Sequence, residues 1–230
     1  MIGCPGCAGI HRQSLCRYDD ESLLMSTRVN FLPDERFLSL RAALKERLHK
    51  MADVLTPENI GGILDVRIEN VLRDAFDQVG ADEGSLWLLD PQKENLVIAY
   101  NTGAHAAEIV GFKQPIGSGI VSTSLASEQG FAENEVYRHE LHSRLLDDKL
   151  SLTTYAMIVV PFYFLNACRG VISCVQLVNV RHEADTTVPV GPVPLGFDIE
   201  KLNLIKRASL IISDLIDYRL LRVTVGWDGH

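Results

Sequence analysis

The stretch from Tyr155 to Asn179, YAMIVVPFYFLNACRGVISCVQLVN, constrains this chain more than any other. It holds two runs rich in β-branched residues, Met157–Phe164 and Val171–Val178, with Asn166 to Gly170 between them. Runs of this kind, punctuated by Asn and Gly, predict two adjacent strands joined by a tight hairpin. Pro161 lacks a backbone N–H and must lie where no ladder bond is missed. Both runs are too apolar to have one face in water, so the rest of the chain is read as their cover.

The cover divides into helices and further strands. Residues 33–55 place Phe37, Leu40, Leu44, Leu48, Met51 and Leu55 at spacings of three and four, the mark of an amphipathic helix with a narrow stripe. Such a stripe suits either a coiled-coil contact or packing on its own domain. Thr56 and Pro57 predict the cap and first residue of a second helix, whose apolar face runs from Ile60 to Val79 and which ends at Gly80. Ser85–Leu89 and Leu96–Tyr100 flank a turn and read as a hairpin, followed by short strands at Phe112–Ile116 and Phe131–Asn134. Between the last two lies a short helix, Ile120–Ser127, with Ser118 available as its cap. Residues 135–154 are polar and irregular, helical around Glu140–Lys149, and 181–197, with three prolines, read as a loop. A closing helix spans Asp198–Arg222 with Ile199, Leu202, Ile205, Ile212, Leu215, Ile216 and Leu220 on its buried face. Hairpins demand an antiparallel sheet; the long helices cover one face, and the irregular middle segment covers the other. A sheet roofed by loops and short helices is a natural place for a small-ligand pocket.

Charge and cysteine usage narrow the function. A net charge of −8 with no block of like charge argues against nucleic acid or an anionic membrane as partner. No apolar stretch reaches about 18 residues, so no transmembrane helix is expected, and the first residues lack the pattern of a secretory signal. Five cysteines fit a reducing cytoplasm better than a disulfide framework. Three of them, Cys4, Cys7 and Cys16, lie with His11 in a Gly-rich extension, residues 1–32. These are the ligand types of a zinc or iron–sulfur site, without the second CxxC or HxxxH that would complete a pair of zinc knuckles. A tail with incidental thiols is the other reading.

Five landmarks then fall in a familiar order: GSLWLLD (84–90), NLVIAYNTG (95–103), PIGSGIVSTSLASEQG (115–130), VVPF (159–162) and GVISCVQLVN (170–179). In this order and spacing the chain resembles a GAF domain from about residue 57 to 222, with a helix at 33–55 before it and a tail at 223–230 after it. The resemblance implies an α+β, profilin-like fold: an antiparallel sheet of five or six strands, the N- and C-terminal helices together on one face, and a ligand pocket under a lid on the other. It implies a homodimer through helices 33–79 and 198–222. Carried over by the pattern of cyclic-nucleotide-binding members, the pocket residues are Ser85, Tyr100, Asn101, Ile120, Val121, Ser143, Asp147, Leu150, Thr154 and Gln176. Gln176, an amide in an apolar strand, is the most informative, because a buried amide needs partners that a ligand would supply.

Departures from the pattern limit the ligand. Asn179 is followed by Val180 where those members have Lys, and Phe197 is followed after the required gap by Leu202 and Asn203 where they have an acidic pair. Both count against a cyclic nucleotide. Residues 100–160 contain no cysteine to attach a bilin, and His105, His139 and His142 are the available haem ligands. Cys168 and Cys174 lie on the hairpin and last strand, away from the pocket loops on which the related free methionine sulfoxide reductases carry their cysteines. No Ser/His/Asp, P-loop or HExxH arrangement is present. The expectation is a cytoplasmic, non-enzymatic module that senses an unidentified small molecule as a homodimer and signals through a separate partner protein. The alternatives are a ligand-free assembly scaffold and a metal or redox sensor built on the N-terminal cysteines.

Overall fold

The opening hairpin is the centre of the sheet. The computed structural model describes residues 35–183 and 186–227, so the Cys4, Cys7, His11 and Cys16 set lies outside the described residues. Two units divide the chain, residues 1–40 and 41–230. In the first, the described part is a turn of 3₁₀ helix at Glu35–Phe37 and the start of α1 (Leu38–Val54). In the second come α2 (Val66–Val79), β1 (Glu83–Leu89), β2 (Asn95–Asn101), α3 (Ala106–Ile109), β3 (Lys113–Pro115), α4 (Gly119–Ser127) and β4 (Phe131–Asn134). They are followed by α5 (Leu145–Leu150), β5 (Thr153–Phe164), β6 (Ala167–Glu183), β7 (Thr186–Val190) and α6 (Ile199–Val225). Six strands form one antiparallel sheet in the order β3-β2-β1-β6-β5-β4, and β7 pairs with the far end of β6.

The β5–β6 connection is tighter than expected. Only Leu165 and Asn166 make the turn, both with positive φ (49° and 59°), the backbone of a two-residue hairpin whose twist matches that of its strands. Leucine is costly in that conformation. Asp217 of α6 holds it by accepting the Leu165 N–H at 2.7 Å. Pro161 pairs with Val171 in β6, beyond the last residue pair of β4 with β5, Phe131 with Val159. On that side β4 no longer pairs with β5, so the missing N–H is tolerated there, and the Pro161 carbonyl accepts from Ser209 Oγ at 3.3 Å.

Alternation along the strands builds a core on each face. Toward the long helices point Leu86 and Leu88 of β1, Ala156, Ile158, Val160 and Phe162 of β5, and Ile172 and Cys174 of β6, packed with Ile68, Leu72 and Phe76 of α2 and Ile205, Ile212 and Ile216 of α6. Toward the other face point Trp87, Leu96, Ile98, Val159 and Val171, packed with Ile109, Ile120, Val121 and Val136. Two faces covered by different layers explain why β5 and β6 read as nearly continuous apolar runs.

Several boundaries differ from expectation, each for a local reason. The second helix begins at Val66: Asp65 caps it by accepting the N–H groups of Arg67 and Ile68. Thr56 to Asn59 form a turn closed by Asn59 Oδ1 on the Thr56 N–H, and a 3₁₀ turn at Ile60–Gly62 delivers Ile60 to the core. Gly80 ends α2 in the left-handed conformation, as expected (φ 70°). Ser118 is at the N-cap of α4 but its side chain makes no capping bond. Helix within 140–149 is confined to α5 and the end of the segment, α3 is an additional turn, and Ile199 is exposed. The stretch expected as a loop contains β7, with Pro189 opposite Val180 on a strand that has no further partner among the described residues, where a missing N–H is tolerated. No helix among the described residues is long and apolar enough to cross a membrane.

Candidate functional site

Between the sheet and the lid lies a cavity of about 50 Å³. Its floor is Glu83, Ser85 and Trp87 of β1 and Ser173, Val175 and Leu177 of β6; its far wall is Ile120 and Val121 of α4 and Leu146, Asp147 and Leu150 of α5. The residues on each strand are separated by two, which is why they share a face. A cavity of this size holds a few water molecules, far short of the roughly 300–1,000 Å³ of pockets that bury drug-sized ligands.

Seven of the ten expected pocket residues meet here: Ser85, Ile120, Val121, Ser143, Asp147, Leu150 and Thr154. Asn101 stands behind them, opposite Ser85 in the β1–β2 ladder, and donates from Nδ2 to Ser85 Oγ at 3.0 Å. Tyr100 and Gln176 do not belong to the cavity. Tyr100 pairs with Leu86 and packs into the helix-side core, where burial pushes its phenol up from its ordinary value. Adjacent strand residues face opposite ways, so Tyr100 and Asn101 cannot both line one face. Gln176 lies between two floor residues and therefore points away from them. Its Nε2 donates to Gly80 O at 2.9 Å and its Oε1 accepts from Gly196 N–H at 3.1 Å. The amide's partners are backbone groups at the end of α2 and just before α6, the two long helices of one layer. The residue of β6 that does face the cavity with a polar group is Ser173, which counting in twos across the ladder from Ser85 would have found. Glu83, Gln114 and His142 were also missed; Glu83 lies two residues before Ser85 and Gln114 is the middle residue of β3, whereas His142 arrives from a loop with no sequence signal.

Asp147 is the joint of the lid. Its Oδ2 accepts from the Thr154 backbone N–H at 2.9 Å and lies 2.9 Å from His142 Nε2, and its Oδ1 accepts from Thr154 Oγ1 at 2.7 Å. Helix α5 has no fully buried residue; Leu146 and Leu150 pack partly buried against the lid-side core, and these bonds add a polar tie to β5. Gln114, buried beside Gly119, donates from Nε2 to Ser118 O at 2.6 Å and pins the entrance of α4.

The far corner is held by Glu83, whose Oε1 accepts from the His105 backbone N–H at 3.1 Å and lies 2.6 Å from His105 Nδ1. Gly103 makes room: a Cβ there would fall 1.8 Å from Glu83 Oε2. Gly103→Ala should displace the carboxylate and cost about 1–3 kcal/mol, read as a lowered midpoint of thermal unfolding; an unchanged midpoint would show that the Glu83 corner yields freely.

His105 and His142 each face a carboxylate, His139 accepts a local backbone N–H, and no cluster of metal-ligating side chains occurs among the described residues. Burial pushes the Cys174 thiol up to about 12 in the helix-side core, burial also raises Cys168, and neither lines the cavity.

No protein-family model and no curated protein matches this sequence. Solved structures do. The GAF domain of a phosphoenolpyruvate-protein phosphotransferase from Coxiella burnetii aligns with 80% of this chain and 95% of its own, at TM-score 0.51 and 13% identity. The chain has a GAF-domain fold. The GAF domain of the Acinetobacter phosphotransferase covers 84% of this chain and 99% of its own at TM-score 0.48 and 16% identity. A free methionine-R-sulfoxide reductase from Neisseria meningitidis, solved with its substrate, covers 84% and 98% at TM-score 0.47 and 17% identity. At such identities the likeness concerns the fold. The GAF fold here is the α+β arrangement expected: a six-stranded antiparallel sheet, long helices on one face and a lid of short helices on the other.

Proposed function

We propose that this protein is a small-molecule-sensing regulatory module that acts as a homodimer and passes its signal to a separate partner protein in the cytoplasm, without catalysis of its own. The observation that carries this reading is the cavity under a lid in which Asp147 ties α5 to β5. Elements with little fully buried surface open at low free energy. A ligand larger than the present cavity would select the open lid, and a smaller one the closed lid; either shifts the balance only by its unequal affinity for the two. Ser173 and Val175 face the cavity while Ile172 and Cys174, their neighbours on β6, face the helices, so the strand borders both layers. On the outer side of α6, Leu210, Ile211, Tyr218, Leu221 and Val225 are exposed, an apolar stripe suited to a second copy of the chain.

Native mass spectrometry of freshly purified protein, followed by a thermal-shift panel of metabolites and nucleotides, tests the reading. A ligand at a hundred times its Kd is expected to raise the unfolding midpoint by roughly 5–10 °C. An apo mass with no stabilising compound would overturn sensing and leave the second reading, a ligand-free assembly scaffold, which the small size of the cavity favours. Light scattering on the same sample should give twice the monomer mass.

A further inference from the structure

The cavity wall contains one unsatisfied polar atom. Glu83 has a side chain only 6% exposed, and its Oε2 is buried with no hydrogen-bond partner among the described residues. A buried carboxylate oxygen without a donor is costly, so the site is complete only when something donates to it. Two hydroxyls lie on the same face. Ser85 is two residues along β1, and Ser173 is directly opposite Ser85 in the β1–β6 ladder, which puts their Cβ atoms about 5 Å apart. Ser85 Oγ already accepts from Asn101 Nδ2, and Ser173 Oγ accepts from Trp87 Nε1 at 2.9 Å. Each hydroxyl keeps one further lone pair. Glu83, whose Oε2 packs against Gly103, thus shares one floor with Ser85 and Ser173, three side chains with acceptor capacity, and an ammonium group carries three donors.

The charges of the wall agree. Its ionisable side chains among the described residues are Glu83, Asp147 and His142, with no Lys or Arg. Asp147 is occupied by His142 and Thr154. A phosphate or carboxylate ligand would bring its charge beside two carboxylates with no Lys or Arg to meet it. Much of the remaining wall is apolar, Trp87, Ile109 and Ile120 among it.

We propose that the cavity takes a small primary aliphatic amine, its ammonium held by Glu83, Ser85 and Ser173 and its carbon body against Trp87, Ile109 and Ile120. This rests on the sensing reading above and assigns its ligand class. Calorimetric titration of the full chain with n-butylammonium chloride, 1-butanol and sodium butyrate tests it, with Glu83→Gln and Ser85→Ala checked for folding by circular dichroism. Butylammonium should bind, butanol should bind at least about tenfold more weakly, and Glu83→Gln should weaken the amine about tenfold or more, since a charge-assisted bond is lost. Ser85→Ala should weaken it less, and carries the test if Glu83→Gln fails to fold. Butyrate binding as tightly as the amine, or amine binding unchanged in both variants, would overturn the assignment. If a compound of the metabolite panel binds and butylammonium does not, the amine class falls and the sensing reading stands; if nothing binds, both fall.

Discussion

Gly170→Ala is expected to destabilise the protein by about 3 kcal/mol or more, a large fraction of the roughly 5–15 kcal/mol of a domain of ordinary stability. Gly170 sits in β6 opposite Leu88 of β1 on one side and Phe162 of β5 on the other. A Cβ there would fall 1.9 Å from the carbonyl oxygen of Trp87 and 3.1 Å from the Cα of Leu88. Both are backbone atoms, so no rotamer change relieves the clash. The β1–β6 ladder must part or slide at that point, and a slide of one residue would turn the faces of β6 over. Chemical denaturation followed by circular dichroism checks this. A wild-type midpoint would mean that the ladder is looser at Gly170 than its register indicates.

The second large effect is local. Asp147→Ala removes the acceptor for the Thr154 backbone N–H and Thr154 Oγ1, together with the partner of His142 Nε2. The buried N–H of Thr154 is left unpaired, and a loss of about 2–3 kcal/mol follows for bonds to a charged group. Because α5 has no fully buried residue, the loss should fall on the lid and spare the sheet. Amide exchange in residues 142–154 should quicken about tenfold or more, with β1 and β6 unchanged. Asp147→Asn, which keeps one acceptor oxygen, should lie between. Exchange equal to wild type across the lid would show that another contact holds it closed.

The order of elements was legible because its signals are local. Gly80, the alternation in 85–100 and the apolar runs around the β5–β6 turn each act within a few residues, and they place the sheet, its helices and most of the cavity wall. What was not legible is parity and distant pairing. The β1–β2 register shifts between Leu86 and Trp87, leaving Ala99 without an opposite residue, and β5 has a similar irregularity between Thr154 and Ala156. An extra residue of this kind reverses which side chains face the lid and leaves no mark in composition. Gln176 was singled out as the polar break in an apolar strand, a sound reason to expect partners. Those partners, Gly80 and Gly196, lie 96 and 20 residues away, and nothing near Gln176 announces them. Asp147 beside Asp148 looks like a solvated helix surface until the fold brings His142 and Thr154 to it. The helix start at Asp65 was missed because Thr56 and Pro57 offer an equally good local signal, and only the burial of Ile60 through a 3₁₀ turn decides against them.

The two bonds of Gln176 make the protein's interior adapt from one side only. Val175 and Leu177 form part of the cavity floor, and the residue between them is riveted to the end of α2 and to the segment that leads into α6. Bowing the floor away from an oversized guest would strain both rivets together and drag on the helical layer. Lifting α5 breaks the bonds of Asp147, the Lys149 bond to Glu108 O and the partly buried packing of Leu146 and Leu150, and leaves the helical layer untouched. The chamber therefore behaves as a box with a fixed base and a hinged top, and the size of what it admits is written in the lid, not in the sheet.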